Sequence, residues 1–429
     1  MVRFFAAVVF SFSCVLGSSL AVELPQYALE KHLGVATCSS SNCHGATIVQ
    51  NPGNVRQDEY LTWLFHDSHA QAFNTLRSDA SFEMAKKLGL GDPTQADVCL
   101  DCHADNVPME RRGEKFLITD GVGCESCHGG AENWISSHTV KPYSLARNLA
   151  DGMYPTASLV ERTELCVSCH VGTGQKLANH EIMGAGHPRL GFSLDVFSAV
   201  QPEHYDIDAD YNERKHDDAP DARLLSGISV QAQQVAKNMN HYLRDAANKP
   251  HPELALFDCY ACHRPIVDLN WQPKASKANL SPGTIRLDDS VFILLANLVG
   301  GLDQSLQNKI LVRVKALHVA SQRSLGDVNR EAGRLHTLTE SALRVVQSSH
   351  LDVQARERMV SNLVALARRN ESRDYIVAEQ IVMALDSLSQ VLPGNTELAQ
   401  LVESAYSVLA DDEAYRPRDL VRIMSKYQN

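Results

Sequence analysis

After its first stretch of about twenty residues, the sequence has no apolar run long enough to cross a bilayer. The best later candidate, 291–302, is about twelve residues long and contains Asn297, Gly300 and Gly301, whereas a spanning helix needs about 20 apolar residues. A basic surplus is also missing. There are 40 Lys and Arg against 51 Asp and Glu, a formal net charge of −11, which argues against a nucleic-acid partner. Strand-like alternation is absent from 38–263, so short helices and loops are expected there. Cysteine is absent from everything after Cys262.

What stands at the front has the layout of a secretory signal peptide: Arg3, an apolar run over 4–16, then small residues up to Ala21. Residues 1–21 are therefore expected to be removed on export, to the periplasm in a bacterium, leaving no spanning segment. The residues before Cys14, Ser11-Phe12-Ser13, do not match a lipidation site of the Leu-Ala-Gly type, so no lipid anchor is expected. The remaining charge is uneven. Residues 22–284 hold 22 Lys and Arg against 33 Asp and Glu, and residues 285–429 hold 17 against 18. An acidic front favours a basic or neutral protein partner.

Ten cysteines follow the leader, in five pairs, and a histidine follows the second member of each pair. Four are Cys-x-x-Cys-His: Cys99/Cys102/His103, Cys124/Cys127/His128, Cys166/Cys169/His170 and Cys259/Cys262/His263. The fifth, Cys38/Cys43/His44, has two extra residues in its gap. Each thiol of such a pair can add across one vinyl group of the same porphyrin, and the next residue then faces the iron, so the pattern reads as covalent haem attachment with the histidine as proximal ligand. Zinc or disulfides would not require a histidine after every pair. Five haems c are expected; the longer first gap needs a bulged turn, with single attachment through Cys43 as the alternative there. First cysteines are separated by 61, 25, 42 and 93 residues, so no solenoid repeat organises them.

Eighteen histidines are present, and five are used by the motifs. The stretch Gly121-Val-Gly-Cys-Glu-Ser-Cys-His-Gly129, with Trp63-x5-His69-Ala-Gln-Ala72 before it and Trp134-x3-His138 after it, resembles the cytochrome c-554 family of multihaem cytochromes. That family is linked to nitrogen-compound oxidation and shares its haem packing with octahaem hydroxylamine oxidoreductases. The likeness extends over about 38–263. It implies His69 as distal ligand of the haem on His128, His138 as that of the haem on His44, and no distal histidine for the haem on His103. For the later haems, local reading offers His187 and His180, in a loop rich in small residues, and His241, in a helix expected over 230–247; each could instead be an ordinary surface or core histidine. His66 would share a helical face with His69 as an outer partner. His32, His204, His216, His251, His318, His336 and His350 are read as ordinary surface residues.

Asp206-x-Asp208-x-Asp210 looks like the start of a calcium loop, but Tyr211 stands where glycine is needed and Asp217 replaces the final glutamate; a solvated acidic loop is the plainer reading. Residues 265–284, rich in Pro, Asn, Ser and Lys, read as a linker. Beyond it, stripes such as Leu306, Ile310, Val314, Leu317 and Ile376, Val377, Ile381, Val382, Leu385, Leu388 have helical spacing. The expected architecture is mainly α with extensive loops: a pentahaem cytochrome c domain over 22–264, then a haem-free helical bundle of about six helices over 285–429. The leading functional expectation is an electron carrier between redox proteins, a membrane-bound quinol or cytochrome partner among them. The alternatives are an oxidoreductase acting on a small nitrogen or sulfur compound at an open haem on His103, and a docking or assembly subunit of a larger cytochrome complex.

Overall fold

The computed structural model describes residues 22–427 apart from 51–54, 215–218, 246–251, 264–279, 281–285, 370–371, 373, 393 and 412–413. The expected leader, nearly all of the expected linker, His216 and His251 lie outside the described residues. The chain is mainly α. Among the described residues the only β pairings are two isolated bridges, His32 with Arg112 and Phe257 with Leu287. No helix there is long and apolar enough to cross a membrane.

From residue 286 onward the chain is a bundle whose starts are written in its capping residues. Asp303, Ser324, Asp352, Asp374 and Asn395 each accept a backbone N–H of the first turn of the helix that follows, at 2.7–3.1 Å, as short polar N-caps do. These open helices Gln304–Ser321, Leu325–Ser348, Val353–Arg368, Tyr375–Gln390 and Thr396–Ser407. The apolar run near 291 is the central helix of this bundle, Ser290–Val299, buried along its whole length. Both stripes read from the sequence point inward, except that Ile376 is only half-buried.

The core does not stop at the expected boundary. Helix Pro220–Asp245 places Leu224, Leu225, Ile228, Ala232, Ala236, Met239 and Leu243 in the same cluster as Phe292, Ile310, Leu335 and Leu385. This helix was expected to belong to the front, and to start ten residues later. Polar contacts reinforce the seam: Asp221, fully buried, pairs with Arg356 at 2.8 Å, and Asp195 of helix Leu194–Val200 receives Arg223 at 2.9 Å and Ser387 at 2.5 Å. Gly227 permits the close approach, because a Cβ there would sit 2.6 Å from Leu194 Cβ.

The front, by contrast, is short helices and turns around small apolar clusters, such as Phe73, Leu76, Leu100 and Ala104, or Val167, Phe192, Leu194 and Val230. His32 and His318, read from sequence as surface residues, are both fully buried, each bonded to a carboxylate: Asp105 at 2.7 Å and Asp289 at 2.8 Å. Among the described residues of the acidic stretch no cation site gathers. Asp206 pairs with Arg56 at 3.6 Å, and Asp208 caps helix Ala209–Arg214 by accepting Tyr211 N–H at 2.7 Å.

Candidate haem sites

Each regular motif sits on one helical turn, which puts the two cysteines, three residues apart, on one face: Asp97–His103, Cys124–His128, Leu159–His170 and Cys259–Cys262. The first motif instead follows a short turn, Val35–Thr37, and its longer gap folds back so that His44 N–H donates to the Cys38 carbonyl at 3.1 Å. The middle residues of a motif also serve. Glu125, buried inside the third one, accepts the backbone N–H groups of Leu33, Gly34 and Ala131 at 2.7, 2.7 and 2.8 Å, locking it to the chain just before Cys38. Gly121, at φ 75°, turns the backbone against His69, whose carbonyl oxygen would lie 2.8 Å from any Cβ placed there.

All five motif histidines face a second imidazole. His44 faces His138 with ring centroids 6.3 Å apart, and His103 faces His187 at 6.3 Å. His170 faces His69, His128 faces His204 and His263 faces His180, each at 6.2 Å. An imidazole nitrogen bonds a first-row metal ion at about 2.0 Å and the ring centroid lies about 1.1 Å behind it, so two imidazoles on opposite sides of one ion stand about 6.2 Å apart. The spacing fits a single iron in every pair. Among the described residues no group of three or more His, Cys, Asp or Glu could hold a metal ion. Two axial donors with no further protein ligand suit a metal whose other four positions are filled by a macrocycle.

Five of these rings are fixed through Nδ1, which leaves Nε2 as the nitrogen that could bind a metal. His103 donates to the Ala72 carbonyl at 3.0 Å, His138 to Ile135 at 2.7 Å and His187 to Pro188 at 2.7 Å. His44 and His69 bond to carboxylates instead, Glu59 at 3.0 Å and Asp67 at 2.8 Å. Burial raises the pKa of both acids, but hydrogen bonds outweigh it and hold them below the usual carboxylate range: from His44 to Glu59, and from the His69 ring, the His69 backbone N–H and Gln201 to Asp67.

The histidine pairing differs from the expectations in four places. His69 stands across from His170 and not from His128. The ring facing His128 is His204, which the sequence reading took as an ordinary surface residue. His103, the expected open position, has His187 across from it. His241 packs its ring against Tyr242 at 4.9 Å and faces none of the five motif histidines. His138 stands across from His44, and His180 and His187 are both brought to motif histidines. No sequence signal distinguishes His204, since contacts made across a metal leave no periodicity in the chain.

Comparison with known proteins points the same way. Residues 37–129 match the family described as cytochrome c554 and c-prime. Over this segment the chain is similar to that family of c-type cytochromes. One curated relative, cytochrome c-554 of Nitrosomonas europaea, is 27% identical over 173 residues, which is 37% of this chain and 63% of that protein. The match thus spans less than two thirds of the relative's length. No solved structure matches the chain.

Proposed function

We propose that this cytochrome is an exported pentahaem electron carrier. The observation that carries the reading is the set of five imidazole pairs at 6.2–6.3 Å, one for each cysteine motif. In it, thioethers form at Cys38/Cys43, Cys99/Cys102, Cys124/Cys127, Cys166/Cys169 and Cys259/Cys262. The histidine pairs that would hold the irons are His44/His138, His103/His187, His128/His204, His170/His69 and His263/His180. A haem iron with two imidazoles supplies one-electron chemistry with little change of geometry between its redox states. The chain's own residues hold the rings: carbonyls fix Nδ1 of His103, His138 and His187, and carboxylates fix that of His44 and His69. With both axial sides of every pair taken by histidine, the carrier reading is favoured over catalysis at an open iron on His103. The acidic front suits a basic or neutral redox partner, and the leader-like 1–21 suits the periplasm, where thioether-bearing chains mature.

Intact mass of the purified protein is expected to exceed the processed polypeptide by five haem groups, with a pyridine haemochrome of the two-thioether type. A mass matching the bare chain sinks the proposal, and a four-haem mass removes the motif with the longer gap. The carboxylates give a second expected result. A carboxylate on Nδ1 makes the imidazole a stronger donor and favours the oxidised metal. Asp67→Asn is therefore expected to raise the midpoint of one haem component by about 59 mV, a tenfold change in a one-electron equilibrium. Redox titration followed in the visible spectrum checks this, and Glu59→Gln should act the same way on a different component.

A further inference from the structure

A buried ammonium lies at the junction of two motifs. Lys176 is 8% exposed. Its Nζ lies 2.9 Å from the carbonyl oxygen of Asp101, inside the motif that ends at His103, and 3.0 Å from Cys169 Sγ, in the motif that ends at His170. Cys169 Sγ itself lies 4.0 Å from the same Asp101 carbonyl oxygen, so the two attachment motifs meet at this point. Among the described residues no carboxylate pairs with Lys176. A cation withdrawn from water without a counter-charge is costly, and a lysine needs only a short rotation of its flexible stem to escape to solvent. The fold denies it that escape.

The loop carrying the lysine is pinned on both sides. Thr173 N–H donates to the Lys176 carbonyl at 2.6 Å, and Thr173 Oγ1 accepts Gln175 N–H at 3.1 Å and Lys176 N–H at 3.3 Å. Gly172, at φ 88°, makes the turn, where a Cβ would meet the Lys176 carbonyl oxygen at 2.8 Å. From behind, the long helix Pro220–Asp245 reaches in: Asn238 donates to the Gly172 carbonyl at 2.9 Å and Tyr242 to the Thr173 carbonyl at 2.8 Å.

We propose that Lys176 is an electrostatic positioning residue that makes the haems on His103 and His170 easier to reduce, so that the junction between them is a resting place for an electron passing along the chain. The inference rests on the pentahaem reading. Reduction removes one positive charge from a haem, so a fixed cation beside it favours the reduced state. The thioether sulfur of Cys169 accepts from the ammonium weakly and the Asp101 carbonyl more strongly, which keeps the charge at the edge shared by both sites. A unit charge about 10 Å away in a medium of effective dielectric about 20 shifts such an equilibrium roughly tenfold.

The test is potentiometric titration of the haem-loaded protein, with mass confirming the haem count. Lys176→Gln, which keeps N–H donors and loses the charge, is expected to lower two of the midpoints by about 59 mV each, a tenfold change per electron, while Lys176→Arg leaves them near their original values. Lys176→Met should match the glutamine variant; where it fails to load haem, the glutamine and arginine pair carries the comparison alone. Unchanged midpoints in a five-haem Lys176→Gln protein overturn the assignment of the lysine and leave the carrier reading standing. Fewer than five haems in the parent protein overturn the reading itself.

Discussion

In a His204→Ala variant, one haem in five is expected to become high-spin in its ferric state, seen by electron paramagnetic resonance as a signal that responds to cyanide or nitric oxide. The ring of His204 is the one that faces His128, at 6.2 Å, and alanine offers no donor in its place. Attachment is unaffected, since Cys124 and Cys127 are untouched, so mass separates loss of a ligand from loss of a haem. The contrasting variant is His241→Ala. Its ring lies beside Tyr242, away from the five pairs, and all haems should stay low-spin. A high-spin signal from His241→Ala with none from His204→Ala would reverse the assignment. His187→Ala should behave as His204→Ala does, which distinguishes a closed site on His103 from the open one that the family resemblance implied.

Leu225→Ala is expected to destabilise the whole chain by about 2–5 kcal/mol, the usual cost of emptying a fully buried leucine site. Leu225 has no exposed surface and sits in the cluster shared with the bundle. Asp221→Ala, which removes the fully buried carboxylate that Arg356 donates to at 2.8 Å, should cost about 1.5–3 kcal/mol, the usual worth of a hydrogen bond between charged groups. Denaturant unfolding followed both by far-ultraviolet dichroism and by haem absorbance checks both variants. If only the dichroism responds, the front and the bundle unfold separately and the shared core has been overvalued. For the same reason, a chain cut after residue 284 is a poor test of what the bundle binds, because the cut strips the long helix of its apolar partners.

The attachment motifs were legible because covalent chemistry demands a fixed spacing, and no packing alternative calls for a histidine after every cysteine pair. The bundle was legible from its stripes, and its Asp, Ser and Asn caps agree with them. The distal histidines were much less so. On the proposed ligation two imidazoles are joined by atoms outside the sequence, so His69 and His170, 101 residues apart, carry no mark of each other. The long helix was half legible. Its apolar positions were visible near His241, and Pro220 at its first turn is a start signal, but which face of the molecule it would cover depends on tertiary packing alone. His32 and His318 were misread for a related reason, since a buried histidine is betrayed by its carboxylate partner, 73 and 29 residues away.

Twenty-six residues of continuous helix, about 39 Å at 1.5 Å per residue, join two different materials in this molecule. One side of that rod is set in hydrocarbon packing, and near its end Asn238 and Tyr242 grip the carbonyls just behind His170. On the proposed ligation, a displacement of the outer helices reaches His170 through this stiff rod, so the bundle is a handle on that site as well as its support.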